Sequence, residues 1–530
     1  MIPGDTFLPD ILPPFILLPV LYAEIHYRFK YFFSYLKTRE PEIIADIPHR
    51  LEPGKDLPVL LVIKDADQYP VRILHIHVMD NGQEVFSEAV NADVRESYKD
   101  LFFSIPRQRL SSGKRQLSVK ISYRIGSKVR MCINDNYRGS SHATLPVNIS
   151  EISLPRIGLC YFGESHSHTN YTSDQVEFAA SLQANKTMAK AIGLDFFAAT
   201  DHSYDLDDYP DDYLKSDPDL KKWDHFQAEV RKLNDENDRL IIIPGEEVSV
   251  LNGKGKNIHC LIYNHSDFIP GSGDGAEKWF HRRSENSLPE VLNSVSDNTP
   301  AFAAHPFENP PFLQRIFINR GSWSDSDCTQ QRLQGLQLVN GGKDETIINA
   351  IQKWVRLLLQ GHRLYGLAGN DAHGNFARFR QIRFPFFSMR EHYYHLFGKW
   401  RTGVYLKPGT EFTLSNLLQA FATGSCFMTN GPALSFQVKT GVDPLSRSGS
   451  RTLMFSALSS KEFGALTRIR VMQGIAGEDK ETQLIDAALE NGTENYQSSH
   501  TVRHNTASCY YRCEIYTNLG KMAISNPIWF

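Results

Sequence analysis

The sequence has few features that would tie it to an oxidising compartment, to nucleic acid or to a membrane. Its 530 residues contain only seven cysteines, which are scattered and include no CxxC pair. A disulfide framework is therefore excluded, and a reducing cytoplasm is the predicted location. The formal net charge is −3, so no basic excess would attract nucleic acid. With 41% hydrophobic and 22% charged residues, the composition is that of an ordinary globular protein with several domains.

No apolar run in the sequence is long enough to cross a bilayer, which takes about 20 residues. The best candidate, residues 11–23, is interrupted by Pro13, Pro14 and Pro19, and it lacks the basic residues and the cleavage site of a signal peptide. We therefore interpret residues 1–42 as an apolar arm that packs on the body of the protein. A membrane anchor in the interfacial layer, or an arm exchanged within a homo-oligomer, is the less favoured alternative.

The hydrophobic pattern divides the remaining chain into three parts. Residues 43–155 alternate apolar and polar residues in short runs separated by turns such as Asp80-Asn81-Gly82, which predicts a β-sandwich-like domain. In residues 156–407, short apolar runs alternate with helical stretches, which predicts an α/β domain with mostly parallel strands. Residues 408–530 contain a short helical segment followed by alternating runs, so we expect a C-terminal α/β to β domain.

The central part gives the clearest secondary-structure predictions. Helices are expected over residues 176–192 and around residues 347–358, because each pattern is followed by a glycine that can end a helix, Gly193 and Gly361. The predicted strands are Asp195–Thr200, Leu240–Ile243, Ile258–Tyr263, Ala301–Ala304, Gly335–Val339 and Tyr365–Ala368.

Side chains that can bind metal follow these predicted strands. His166-x-His168 on an extended segment points both imidazoles to the same side, because strand side chains alternate with period two, and Asp371-x-His373 has the same spacing. The other candidates are Asp174, Asp201, His202, Glu246, Glu247, His259 and His305. Such a set of imidazoles and carboxylates without thiolates suits Zn²⁺, Mn²⁺ or Fe²⁺ and disfavours a cysteine-type structural zinc site.

The order of these motifs resembles the PHP (polymerase and histidinol phosphatase) domain of metal-dependent phosphoesterases, over roughly residues 158–406. Within that superfamily the chain is most similar to the CehA/McbA-type metallohydrolases, whose segments are like those at residues 163–175 and 200–203. Val339-Asn340-Gly341 and Thr429-Asn430-Gly431-Pro432 also match that type. The chain departs from the pattern at three positions that hold no candidate ligand, namely Ser165, Gln175 and Ser203. The resemblance implies a distorted (βα)7 PHP-type barrel flanked by N-terminal and C-terminal β domains.

The resemblance also implies a centre of two or three divalent ions, zinc, manganese or iron. The first ion would be held by His166, His168, Glu247 and Asp371, and Glu247 would bridge to a second ion, which His259 and His305 also hold. A third would be held by Asp174, His202 and His373. The G-x-E spacing selects Glu247 over Glu246. If the third ion is absent, Asp174, His202 or His373 would instead transfer a proton to the leaving group. The sequence leaves these two roles open, and the catalytic candidates are Asp174, His202, Glu247 and His373.

The segment directly after His373 is basic and aromatic. Residues 375–401 contain six basic residues and one acidic residue. Because this segment begins at the predicted metal site, Arg378 and Arg380 are candidates for binding a phosphate or a carboxylate. The alternative is a loop that packs on a neighbouring domain or on a second subunit. Lys343, which follows Gly341-Gly342, is a third candidate for binding substrate.

These features together predict a metal-dependent hydrolase of a small-molecule phosphoester, in which a hydroxide that bridges the metals is the nucleophile. A carbamate, ester or amide hydrolase of the CehA/McbA type would use the same ligands and remains an alternative. A catalytically inactive binding protein is a second alternative, which a missing ligand would indicate. No nucleic-acid partner is expected, because no RNA-binding motif or basic surplus accompanies the predicted barrel.

Overall fold

The computed structural model describes residues 39–137, 140, 142–172, 180–210, 212–236, 238–273, 275, 283–310, 312–378, 381–384, 387–390, 393–442, 449–503 and 508–530. Of these, 46% lie in strands and 17% in helices. Residues 1–38 of the predicted apolar arm lie outside the described residues.

The first nine strands form two sheets around one hydrophobic core. They are β1 Glu42–Asp46, β2 Arg50–Leu51, β3 Leu57–Lys64, β4 Val71–Asp80, β5 Gln83–Val94, β6 Tyr98–Ile105, β7 Gly113–Ile125, β8 Lys128–Ile133 and β9 Leu145–Ile149. One sheet has the order β1-β3-β6 and the other the order β2-β9-β7-β4-β5, with β8 paired to β7. Alternate side chains of both sheets, such as Val59, Ile76 and Val119, are buried in this core, as the alternating sequence requires.

A second, larger group of strands begins at residue 160. These are β10 Cys160–His168, β11 Phe196–His202, β12 Asp208–Tyr209, β13 Asp212–Ser216, β14 Ile241–Leu251, β15 Asn257–Tyr263, β16 Ala301–Ala303, β17 Gly335–Asn340, β18 Tyr365–Gly369, β19 Ala372–His373, β20 Gln381–Phe384, β21 Phe387–Arg390 and β22 Arg401–Tyr405. All six strands predicted here from apolar runs are present. Five have ends shifted by at most two residues, whereas β14 continues to Leu251, eight residues past its predicted end at Ile243.

The C-terminal strands continue this architecture. They are β23 Cys426–Thr429, β24 Ala433–Val442, β25 Gly449–Leu458, β26 Leu466–Ile475, β27 Thr482–Thr493, β28 Asn495–Arg503, β29 Cys509–Thr517, β30 Met522–Ser525 and β31 Ile528–Trp529. Three of them form a separate sheet, β24-β25-β28, whereas β23, β30, β29, β26 and β27 extend the large central sheet and β31 pairs with β29.

Eight α-helices occur among the described residues. They are α1 Leu182–Ile192, α2 Ser203–Leu206, α3 Lys221–Asn234, α4 Leu288–Ser294, α5 Phe312–Phe317, α6 Asp325–Cys328, α7 Asp344–Leu359 and α8 Leu414–Thr423. Helix α1 begins after Ser181, whose side chain accepts the Ala184 N–H, and it ends at Gly193, as predicted, with φ 98°. The predicted start of this helix, before residue 180, lies outside the described residues.

The predicted (βα)7 barrel is wrong, because the strands do not form a repeating parallel β-α unit. Strand β14 pairs antiparallel with β15, and β15 pairs antiparallel with β16. Only residues 252–256 connect β14 to β15, which is too short for a helical crossover. The result is a mixed sheet of fifteen strands in a mostly β protein. Thirteen of them follow the order β18-β17-β16-β15-β14-β11-β10-β22-β23-β30-β29-β26-β27, and the other two, β19 and β31, pair with β10 and β29.

The helices and the cysteines bear on the expectations about membrane crossing and disulfides. Among the described residues, no helix combines the length and the apolar character that a membrane crossing requires. All seven cysteines are free thiols, and six of them are buried.

Candidate metal centre

Eight of the nine predicted ligands come together at neighbouring strands of the large sheet. His166 and His168 lie on β10, and the other six come from β11, β14, β15, β19 and the residues that follow β16 and β18. The set is His166, His168, His202, Glu247, His259, His305, Asp371 and His373. The ninth, Asp174, lies outside the described residues.

Four of these side chains, those of His166, His168, Glu247 and Asp371, bring their ligand atoms together in one compact group. The Nε2 atoms of His166 and His168 lie 3.2 Å apart, and each is 3.2 Å from Oε2 of Glu247. Asp371 Oδ1 lies 3.3 Å from the first nitrogen and 3.0 Å from the second. Two ligand atoms that are each about 2.0–2.1 Å from a zinc ion are about 3.3 Å apart at the tetrahedral angle. The group therefore has the spacing of ligands around one ion, and it is the group that the resemblance assigns to the first metal.

The second carboxylate oxygen of Glu247 faces two other imidazoles. Its Oε1 lies 2.6 Å from His259 Nδ1 and 3.0 Å from His305 Nε2. Glu247 is fully buried, so both of its oxygens are directed at imidazoles rather than at water. This is the arrangement expected of a carboxylate that bridges two ions.

A third group surrounds His202. The rings of His202 and His373 lie beside that of His168, with centroid distances of 4.4 Å and 4.1 Å. His202 Nδ1 is buried and forms no hydrogen bond within the described residues, although Glu247 Oε2 is 3.2 Å away. His373 donates its Nδ1 proton to the carbonyl of Asp371, at 2.9 Å, which leaves Nε2 with the lone pair. Both side chains therefore present nitrogens that suit a ligand role.

The electrostatics of the group favour charged carboxylates. Burial would raise the pKa of Glu247, but His259, His166 and His202 outweigh it and hold that pKa well below its ordinary value. Burial likewise would lower the pKa of His168, but hydrogen bonds with Asp371 and Glu247 raise it well above the ordinary value. The negative charges of Glu247 and Asp371 therefore favour a protonated His168, and a metal cation could take the place of that proton.

The adjacent Glu246 behaves in the opposite way. It is fully buried on the other side of β14, where it accepts hydrogen bonds from Ser203 Oγ and Ile269 N, both at 3.2 Å. Burial raises its pKa well above the ordinary value, and no imidazole compensates. Glu246 is therefore a neutral structural residue, which agrees with the choice of Glu247 from the G-x-E spacing.

Gln337 on β17 is a functional residue that the sequence analysis missed. Its Oε1 accepts hydrogen bonds from His166 Nδ1, at 2.8 Å, and from His305 N, at 3.1 Å. Its Nε2 donates to Asn340 Oδ1 at 2.8 Å. The signal in the sequence was a single glutamine within the otherwise apolar run of residues 335–339. Such outer contacts orient metal-binding imidazoles.

Other polar residues hold the loops that carry the ligands. Asp201, one of the candidates, accepts the backbone N–H groups of Thr169 and Thr172 at 2.7 Å and 3.0 Å, so it fixes the turn after His168 rather than joining the group. His305 and Asp371 have φ values of 32° and 51°, in the left-handed region that non-glycine residues rarely adopt. Strain of this kind is concentrated at functional sites.

A cation that the sequence analysis also missed lies at the edge of the group. The guanidinium of Arg320 directs Nη1 at Nε2 of His259. It reaches this position because Asn319 and Gly321 pair with Asn257, two residues before His259. The centre therefore has a guanidinium beside one of its imidazoles.

The predicted arginines of the basic segment are placed differently from the expectation. Arg378 is 4% exposed, and its guanidinium donates to Asn134 O at 2.8 Å and to Asp135 Oδ2 at 2.6 Å. Arg378 therefore holds the segment against the N-terminal sheets, which is the packing alternative, and its guanidinium is not placed to bind substrate. Arg380 lies outside the described residues.

Lys343 does line a cleft beside the centre. The cleft has a volume of about 750 Å³, and Phe307, Glu308 and Lys353 also border it. A second, small pocket shares Phe307 and Glu308 with the cleft, and His305 is among the residues that line it. The cleft therefore adjoins a small pocket of about 20 Å³ that one of the candidate ligands lines.

Comparison with known proteins does not identify the chain. None of the known protein-family models matches it, and no curated protein matches it. A glycosyl hydrolase family 2 member from Bacteroides cellulosilyticus aligns with 92% of this chain and 63% of its own, at 12% identity and a TM-score of 0.18. A β-D-mannosidase from Dictyoglomus thermophilum aligns with 93% of this chain and 67% of its own, at 8% identity and a TM-score of 0.24. At these TM-scores the likenesses support no conclusion about fold or function.

Proposed function

We propose that the chain is a metal-dependent hydrolase that acts on phosphate esters. The observation that carries the proposal is the position of Glu247, a buried and charged carboxylate whose two oxygens face imidazoles on both sides. Nothing in the described residues neutralises this group except other potential ligands. A carboxylate in such surroundings is stabilised by cations.

The residues present fit divalent ions. The donors are nitrogens and oxygens alone, and their ligand atoms lie together in three groups: His166, His168, Glu247 and Asp371; His202, Glu247 and His259; and His168, His202 and His373. His305 joins the set through its 3.0 Å contact with Glu247 Oε1. The buried His202 Nδ1 lacks a hydrogen-bond partner within the described residues. His166, His168, Glu247 and Asp371 would hold one ion, and Glu247, His259 and His305 a second. Bound there, the ions would supply the Lewis acidity that polarises an ester and lowers the pKa of water.

The side chains of the centre have distinct tasks in this proposal. Gln337 keeps Nε2 of His166 directed at the group by accepting the proton on Nδ1. Burial and the neighbouring His168 hold the pKa of His202 well below its ordinary value, so its imidazole is neutral. A neutral imidazole at the edge of the group can either bind a third ion or accept and return a proton at the leaving oxygen. The cations Lys343 and Lys353 in the adjoining cleft support an anionic substrate.

The test compares two neighbouring carboxylates of the same strand. Wild type, Glu247→Gln and Glu246→Gln are analysed for metal content and for hydrolysis of p-nitrophenyl phosphate, bis-p-nitrophenyl phosphate and p-nitrophenyl acetate. Wild type should hold two or three equivalents of metal and hydrolyse the phosphoesters. Glu247→Gln should lose metal and at least about 100-fold in rate, since even the outer contacts of a metal site are worth 10- to 100-fold. Glu246→Gln should keep both, because a glutamine closely replaces a neutral carboxyl group.

Each other outcome would contradict part of the proposal. Equal losses in the two variants would show that Glu247 has no special role and would remove the site assignment. Hydrolysis of the acetate alone would replace the phosphoesterase by an ester or carbamate hydrolase. A wild-type protein that takes up no metal after reconstitution and hydrolyses nothing would be a binding protein.

A further inference from the structure

We infer that an apolar segment of this chain, residues 11–23, docks on the outward side of β8, where Val129, Met131 and Ile133 are exposed. The inference concerns the N-terminal sheets and is independent of the proposed function. It is carried by the exposed side chains of β8, by the place at which the described chain begins and by the charges of the two surfaces.

Strand β8 is an edge strand with a row of aliphatic side chains on one side. Its only strand partner among the described residues is β7. Val129, Met131 and Ile133 alternate along β8 and therefore lie on the same side, where they are 59%, 65% and 39% exposed. This side is the outward one, because the core lies on the opposite side of β7, where Ile121 and Tyr123 are buried. An open edge with an exposed apolar row is a surface that proteins usually cover.

The described part of the chain begins beside this strand. Glu40 forms an ion pair with Arg130 of β8, and its carbonyl oxygen accepts a hydrogen bond from Tyr137 Oη at 3.0 Å. Asn136 Nδ2 donates to the carbonyl oxygen of Pro41 at 2.8 Å. The chain is therefore tethered at β8, and the residues before the tether reach the outward side by passing one free strand edge, a distance of about 5 Å.

Residues 11–23 have the composition and the reach that this surface requires. Ten of these thirteen residues are apolar and the other three are prolines. Residues 24–38 join them to the tether and would span about 22 Å as a helix or about 50 Å when extended, whereas β8 is about 20 Å long. A segment tethered in this way has an effective concentration of about millimolar at the strand. A stable dimer would need about 800 Å² from each partner, which is more than three aliphatic side chains can supply.

The charges of the two surfaces are complementary. Arg124 and Lys120 of β7 lie opposite the two ends of the apolar row, so cations border it. Residues 1–23 contain two acidic residues, Asp5 and Asp10, and no lysine or arginine. The acidic residues therefore precede the apolar run on the same segment, and they can pair with the cations once this run is docked.

The first experiment identifies what lies on β8. The photo-cross-linking residue p-benzoylphenylalanine replaces Met131 in the full chain, and in a control it replaces Ile348 of α7, which is similarly exposed at 49%. Dilute protein is irradiated, and mass spectrometry locates the residues that are joined. Position 131 should be joined to residues 11–23 of the same chain, in a product with the mass of one chain. Position 348 should not be joined to that segment.

The second experiment changes the docking surface and leaves the segment itself intact. Chymotrypsin can cleave residues 11–23 after Phe15 and Tyr22. Val129→Glu/Met131→Glu introduces two charges into the apolar row and should raise the rate of cleavage at these sites about tenfold or more, because the apolar contact is lost. Ile348→Glu is the matched control and should be cleaved at the wild-type rate. The circular dichroism of each variant checks that it is folded.

The outcomes distinguish the segment from other occupants. Cross-links from position 131 that join two chains, with none to residues 11–23 of the same chain, would overturn the inference and assign β8 to a dimer interface. Absence of any cross-link to this segment would also overturn it. Sedimentation with phosphatidylglycerol vesicles that Val129→Glu/Met131→Glu loses would then assign the surface to lipid. Equal cleavage rates in wild type and both variants would show that residues 11–23 are not held at β8.

Discussion

Gln337 fixes which nitrogen of His166 faces the candidate centre. The amide oxygen of Gln337 can only accept a hydrogen bond, and its orientation is set because the amide nitrogen donates to Asn340 Oδ1 at 2.8 Å. His166 must therefore carry its proton on Nδ1, which lies 2.8 Å from this oxygen. The lone pair on Nε2 is then directed at His168, Glu247 and Asp371.

Replacing Gln337 by methionine should therefore weaken metal binding without removing a ligand. We expect the affinity of the centre for zinc to fall by about 10- to 100-fold, because the imidazole loses the contact that orients it. Competition with a fluorescent zinc chelator measures this affinity. Gln334→Met is the matched control, since Gln334 also accepts a backbone N–H, that of Ala301 at 2.6 Å, but touches no ligand. Equal weakening in both variants would mean that general destabilisation, not orientation, is responsible.

The ligands could be predicted at this scale because their chemistry is visible in short motifs. The period of two in His166-x-His168 is enough to place both imidazoles on one side of β10, and they do meet there. Gln337 could not be predicted in the same way. It acts on His166 across 171 residues of sequence, and that contact exists only after β17 and β10 have taken their places in the fold.

At the scale of elements, the loop after His373 is held by the N-terminal sheets. Asp46 on β1 accepts the backbone N–H groups of Phe376, Ala377 and Arg378, at 2.8–3.1 Å. Arg378 in turn forms a buried ion pair with Asp135. The N-terminal sheets therefore help to position the segment that carries Asp371 and His373.

Removing one partner of this buried ion pair should lower the free energy of unfolding of the protein. Arg378→Met leaves the carboxylate of Asp135 buried without its cation, and we expect a loss of about 3–5 kcal/mol in the free energy of unfolding. The double variant Arg378→Met/Asp135→Asn should recover a large part of it. Arg468→Met, which breaks the exposed pair with Asp486, should lose at most about 1 kcal/mol. Urea unfolding measures all three, and a loss in Arg378→Met no larger than that of Arg468→Met would refute the role of the pair.

The pairing of strands was the part of the fold that sequence reasoning predicted wrongly. Every residue of β15 is buried, and such a run looks the same whether its neighbours are parallel or antiparallel. The information lay instead in the connection, because Asn252-Gly253 is a turn sequence and five residues cannot form a helical crossover. The positions of strands follow from local apolar runs, whereas their partners depend on contacts between distant segments.

At the scale of the whole molecule, Arg50 joins the three parts of the chain. This buried guanidinium from β2 donates to the carbonyl of Ile192 at the end of α1, at 2.9 Å, and to Glu462 in the C-terminal part, at 2.8 Å. Further cations, Lys399 and Arg401, are buried or half-buried near this junction. The parts therefore meet around an accumulation of positive charge, which should make stability depend on pH.

Lys399 is the group for which this dependence can be predicted. Burial, followed by the charges of Lys521 and Arg401, lowers its pKa to about 8 from the ordinary 10.5. The folded state thus releases the proton at a lower pH than the unfolded state, so between pH 8 and 10.5 the unfolded chain binds more protons and stability rises with pH. The difference corresponds to roughly 3 kcal/mol. Below pH 8 the charged lysine destabilises the fold by this amount, relative to an uncharged side chain.

Lys399→Met should therefore be more stable than wild type at pH 7, by up to roughly 3 kcal/mol before the loss of any favourable contact of the lysine is subtracted. This advantage should shrink steadily between pH 8 and 10, because wild type then loses the charge that the variant never had. Urea unfolding of both proteins at pH 7, 8, 9 and 10 measures the difference, in which the titration of all other groups cancels. A stability difference between the two proteins that is constant over this range would show that Lys399 titrates normally. Burial at the junction between the three parts would then not disfavour its charge.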